Sequence, residues 1–152
     1  MGSSFGHLKR TMFARHSNPW SAWTRWASTP LVLVPFWTRQ WRHAVPVVGW
    51  MLVNPVAFPR PESNDAWATR AMRGEELWIA ERPRDRAAIV NLAVSVCGVG
   101  AVLAARKRRL VPTAALTLAE MALLLVYWKL MVKYYDENAA DPQLDPALAG
   151  AP

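Results

Sequence analysis

Glu120 is the costliest residue in this sequence to place, because it stands in an apolar run, residues 110–132, whose only other charge is Lys129. An ionised carboxylate near the middle of a helix in hydrocarbon costs a few kcal/mol unless it is paired, protonated or turned to water. Two chemistries fit such a group. It can relay a proton or cation, or it can be a protonated or hydrogen-bonded carboxyl that fastens helices together. Relays are built from several ionisable groups and one is visible here, which favours fastening. Asn91, Ser95 and Gly98 share one helical face, as do Thr113, Thr117, Glu120 and Tyr127, and the two faces are expected to meet with Ser95 at about the depth of Glu120.

Other candidates are weaker. His43, between Arg42 and an apolar run, has the chemistry of a metal or chlorophyll-type pigment ligand, but the favoured reading is an interfacial histidine bonded to headgroups or backbone. His7 and His16 have no metal-ligand spacing with any Cys, Asp or Glu, so no metal site is expected. Cys97, the single cysteine, lies in an apolar run as a small packing residue. No phosphate-binding Gly-rich loop, nucleophile elbow or HExxH motif occurs, which disfavours an enzyme. No cofactor is implied beyond contact with bound pigment or lipid.

These residues must be positioned by helices in a bilayer. The 152-residue chain is 53% hydrophobic with nine Trp, yet its mean hydropathy is only +0.04, because charged and Pro-rich stretches dilute the apolar runs. Residues 87–105 carry no charge and as a helix span roughly 28 Å, close to the hydrocarbon thickness. Arg106, Lys107, Arg108 and Arg109 follow, and then the 110–132 run. The expectation is an all-α membrane protein with a transmembrane hairpin over 87–105 and 110–132. Pro112 falls in the first turn of its second helix, and Tyr127 and Trp128 are expected as interface anchors at the far end.

The first half adds two shorter Pro-rich segments, 27–37 and 44–58, interrupted by Pro30, Pro35, Pro46 and Pro55: either both cross as kinked helices or one crosses while the other lies at the interface or re-enters, and two membrane-inserted segments, making four in all, are favoured. Ahead of them, residues 1–26 read as a basic, Trp-rich interfacial lead-in. Asn18 caps a helix with Pro19 at its first position, and Trp20, Trp23 and Trp26 follow at spacings of three behind Lys9, Arg10 and Arg15. Residues 59–86 read as a polar loop holding a short helix that Gly74 ends. Residues 136–152 form an acidic and then Ala/Pro-rich tail, disordered by composition unless a neighbouring subunit holds it.

The net charge of +7 lies in short clusters beside apolar runs, the distribution of the positive-inside rule and not of a nucleic-acid surface. No cleavable signal is legible in the first thirty residues, so insertion is expected through the internal segments of a bacterial inner membrane. The Arg106–Arg109 cluster is placed in the cytoplasm and the tail outside. Four full crossings then bring the basic N-terminus to the tail's side, against its charge, whereas three do not.

His16-Ser17-Asn18-Pro19-Trp20-Ser21 with Trp23-Thr24-Arg25, then Asn54-Pro55-Val56 with Phe58-Pro59, and later Asp65-Ala66-Trp67, resemble a family of small bacterial and archaeal membrane proteins of unknown function. The resemblance covers about residues 12–80, leaves out the tail, and implies membrane location without an activity. The functional expectation is a non-catalytic accessory subunit of a larger membrane complex, such as a photosynthetic or respiratory one, whose partners are lipids and other membrane subunits. The alternative is a stand-alone transporter or membrane enzyme using Glu120.

Overall fold

The computed structural model describes residues 17–61, 63–81 and 84–138, and these are all-helical. Asn18 begins the first helix, α1 (Pro19–Ala27). Its Oδ1 accepts from the amides of Trp20 (2.9 Å) and Ser21 (3.4 Å), while Pro19 occupies a position that needs no donor. The chain tightens into a 3-10 turn (Thr29–Leu33) around Pro30 and resumes as α2 (Val34–Thr38), with Pro35 in its first turn. Arg39, in the left-handed region at φ 56°, stops it. A second 3-10 turn (Trp41–His43) leads into α3 (Ala44–Ala57), which ends at the extended Phe58 before Pro59.

These pieces form one descending and one ascending limb. Trp23 meets Trp128 at a ring separation of 5.5 Å, Trp26 donates to the Met121 carbonyl, and Trp37 and Thr38 lie beside Leu110 and Thr113. Residues 19–38 therefore run alongside residues 110–128 over about 27 Å. Helix α1 and the expected 27–37 segment thus lie along one limb, and prolines break it without turning it aside. The expected 44–58 segment is α3, at fourteen residues.

Helix α4 (Trp67–Glu81) replaces the expected polar loop and runs past Gly74. Gly74 does not end this helix, because its missing side chain is needed where α4 crosses its neighbour. Asp85 caps α5 (Arg86–Arg106) by accepting from the Ala88 amide at 3.0 Å and also receives the Trp78 indole N–H at 3.2 Å. At its far end Arg109 N donates to Ala104 O and Arg108 N to Ala105 O, a Schellman closure with Arg108 at φ 53° where glycine is usual. Helix α6 (Leu110–Asn138) returns antiparallel, six residues longer than the expected run, because Tyr134 donates to Glu81 and Arg70 binds the Asp136 carboxylate at 3.1 Å.

Helices α5 and α6 are both long and apolar enough to cross a membrane, and only 17% of either apolar stretch is buried. The buried core lies instead where α1, α4, the start of α5 and the last half of α6 converge. Ala22, Ala68, Ala71, Met72, Ala87, Tyr127, Trp128 and Met131 pack there.

Candidate functional site

Three polar assemblies sit on this frame. The first joins the two Asn-Pro motifs. Asn54, fully buried just before Pro55, accepts at Oδ1 from Ser21 Oγ (2.8 Å) and donates through Nδ2 to Thr24 Oγ1 (2.8 Å). Asn18 donates from Nδ2 to the Pro59 carbonyl at 3.0 Å. These bonds tie the polar side chains to one another and fasten α1 to α3. The sequence reading found both Asn-Pro motifs but not their pairing, since 33 residues separate Ser21 from Asn54.

The second is aromatic and acidic. Trp23 packs against Trp26, Trp67 and Trp128, all with ring separations under 6 Å, and Trp78 meets Tyr127 edge-on. Trp20 alone among the expected N-terminal anchors is strongly exposed, at 69%. Tyr127 and Trp128, expected at an interface, are 3% and 7% exposed, because α4 covers this end of α6. The Tyr127 hydroxyl donates to Glu75 Oε1 at 3.3 Å. Burial raises the Glu75 carboxyl above its ordinary range, and the Tyr127 bond and the Arg25 charge only partly oppose it.

The third is the seam between α5 and α6. A Cβ at Gly98 would lie 2.8 Å from Glu120 Oε1, so the carboxyl seats on the glycine. The rest of the expected meeting of faces does not occur. Asn91 and Ser95 are exposed, and Ser95 Oγ donates to its own helix at the Asn91 carbonyl, 3.0 Å away. Thr113 and Thr117 are buried, bond to the carbonyls of Arg109 and Thr113 at 2.7 Å, and line a groove toward the descending limb. Helix periodicity gives a face but not its partner, and the descending limb occupies the side on which α5 was expected.

At the turn end the four expected bases are exposed, and two arginines interlock the turns. Arg39 donates to the Arg106 carbonyl (3.0 Å) and Arg108 Nε to the Trp37 carbonyl (3.2 Å), so each satisfies a terminal carbonyl of the other hairpin. His43 Nδ1 lies 2.9 Å from Thr38 Oγ1, which occupies that nitrogen within the protein. No group of three or more His, Cys, Asp or Glu able to hold a metal occurs among the described residues. Lys9, Arg10, Arg15, His7, His16 and the tail beyond Asn138, with the neighbouring subunit expected to hold it, lie outside the described residues; the tail's first residues, Asp136 and Glu137, are helical.

Residues 1–151 match the family of unknown function DUF6653, and the chain belongs to that family. The match is wider than residues 12–80 and takes in the tail expected to fall outside the resemblance. No curated protein and no solved structure matches the chain.

Proposed function

We propose that this member of a family of unknown function is a multi-pass membrane protein and serves as a non-catalytic accessory subunit that docks onto another membrane helix. The observation that carries the reading is the outer face of α5. Ile89, Leu92, Val96, Val99 and Leu103 are exposed there at alternating spacings of three and four. Asn91 and Ser95 are exposed among them, and the Asn91 amide has no partner among the described residues. The apolar residues suit lipid or a helix equally. An unpaired amide in hydrocarbon costs free energy that a partner helix recovers by hydrogen bonding.

Four membrane-inserted limbs, 19–38, 44–57, 86–106 and 110–138, account for the two turns lying side by side. The bases at both turns, Arg39, Arg42 and Arg106 to Arg109, then face the cytoplasm, and α1, α4 and the end of α6 approach the outer surface of a bacterial inner membrane. Glu120, seated on Gly98 with no second ionisable group beside it among the described residues, acts as packing in this reading.

Gentle extraction followed by native mass spectrometry tests the proposal. The expected result is a defined hetero-complex that Asn91→Leu dissociates while the variant keeps its own thermal stability. A chain that remains a lone protomer after extraction, or one released from membranes by alkaline carbonate, refutes it.

A further inference from the structure

We propose that the cavity between the two turns binds the phosphate group of an anionic phosphate ester, held by Arg39 and Arg106. The site goes beyond the accessory-subunit reading and does not depend on it, because a lipid headgroup and a soluble ester present the same group. The cavity has a volume of about 360 Å³, in the range of small-molecule sites, and is lined by Pro35, Phe36, Arg39, Trp41 and Arg106. Arg39 keeps a side chain at a left-handed position, φ 56°, where glycine is less strained. Its Nη2 donates to the Arg106 carbonyl at 3.0 Å, which fixes one corner of the guanidinium and leaves its other N–H donors for an outside acceptor. The Arg106 guanidinium and the Trp41 indole N–H have no hydrogen-bond partner among the described residues, so three side chains bring unused donors to one cavity.

The charge of this end is not neutralised by its neighbours. Residues 1–61 and 86–119 contain no Asp or Glu, and Glu120 stands ten residues, about 15 Å, along α6 from Leu110 at the turn. The ion pairs Arg70–Asp136, Arg73–Glu76 and Lys133–Glu137 lie at the opposite end. Arg39, Arg42 and Arg106 to Arg109 therefore gather at two adjoining turns with no acid beside them among the described residues, and their summed field draws an anion in. Within that field the cavity selects. Planar guanidinium forks match the spaced oxygens of a phosphate, and two of them can share one group. Phe36 and Trp41 meet edge-on at a ring separation of 5.8 Å and with Pro35 form an apolar wall beside the arginines, which suits the organic part of an ester. Lys107, Arg108 and Arg109 do not line the cavity, so a bound phosphate depends on Arg39 and Arg106 far more than on the other bases of the turn.

The test uses the full chain in neutral detergent at about 0.15 M salt, where charges more than about 8 Å apart are largely screened. Glycerol 3-phosphate binding is measured by titration calorimetry, and retention of phosphatidylglycerol against phosphatidylcholine by native mass spectrometry. Arg106→Gln, which removes no hydrogen bond of its side chain to the described residues, is expected to weaken binding about tenfold, the loss of a charged hydrogen bond. Lys107→Gln removes the same charge from the same turn and should cost less than the roughly fivefold that a base contributes near an anionic surface. Arg39→Lys keeps the charge but not the fork and should weaken binding as well. Binding of both probes with this pattern supports a phosphate site open to either source. The same pattern with the lipid alone assigns a headgroup, and with glycerol 3-phosphate alone a soluble ester. Binding of neither probe overturns the proposal, and so do equal losses from Arg106→Gln and Lys107→Gln, which would mark diffuse attraction to the turn and not a cavity.

Discussion

Gly74 and the Met131 carbonyl approach so closely that a Cβ on Gly74 would lie 1.9 Å from the oxygen, bringing the backbones of α4 and α6 into direct contact. A methyl group there meets backbone, which cannot rotate away, so the helices must separate. Gly74→Ala is expected to destabilise the protein by about 3 kcal/mol, at the upper end of overpacking costs. Gly49 in α3 has open space where its Cβ would stand, and Gly49→Ala should be neutral or stabilising by up to about 1 kcal/mol from helix propensity. Thermal melts followed by tryptophan fluorescence compare the two, and equal losses would refute the contact.

Asn54 holds the first hairpin closed, and its amide both donates and accepts. Asn54→Asp keeps the acceptor for Ser21 but cannot donate to Thr24 and places a charge in a buried site. Asn54→Leu leaves both hydroxyls without the amide. Each variant is expected to lose about 2–3 kcal/mol, the cost of leaving buried polar groups unsatisfied. Ser21→Ala should cost less, because Asn54 keeps its bond to Thr24. A wild-type melt for Asn54→Leu would show that the assembly contributes nothing.

Glu75 gives a pH dependence whose sign follows from its surroundings. Its folded carboxyl is raised, mainly by burial, so ionisation is harder in the folded state than in the unfolded chain. Below the ordinary carboxylate range both states are protonated and no penalty exists. As pH rises the unfolded state ionises first, and folding loses stability until the folded carboxyl ionises as well. Glu75→Gln keeps an acceptor for Tyr127 and cannot ionise. Its melting temperature should match wild type in acid and exceed it increasingly toward neutrality. A difference that shrinks as pH rises would mean that the Arg25 attraction outweighs burial.

The α5–α6 hairpin was legible because nineteen uncharged residues and a four-base turn admit few other structures. Gly74 misled for a physical reason: glycine ends helices through its backbone freedom, but here it serves by lacking a side chain, and only the crossing helix reveals that. Arg108 hid its role in the same way, since the left-handed position it fills usually selects glycine and its side-chain bond to Trp37 joins segments 71 residues apart. Tyr127 and Trp128 read as interface anchors by type and by distance along the helix. Burying them required α4, whose length was cut short by the reading of Gly74.

Glu120 and Gly98 provide the last test, because their contact differs in kind from that of Gly74. At Gly98 an added Cβ would meet the end of a flexible side chain, which can swing aside. Gly98→Ala alone should therefore cost little, under about 1 kcal/mol, with the gain in helix propensity offsetting part of the displacement. Gly98→Leu needs the whole volume of the carboxyl seat and should cost more, unless Glu120→Ala empties it. The double variant is then expected to be more stable than the sum of its single losses, by about 1 kcal/mol of coupling. Additive losses in this cycle, measured by melting of the four proteins in the same detergent, would mean that the carboxyl does not occupy the space above Gly98. If Glu120→Gln leaves the melt unchanged while the cycle shows coupling, the residue acts through shape and hydrogen bonding and not through its charge.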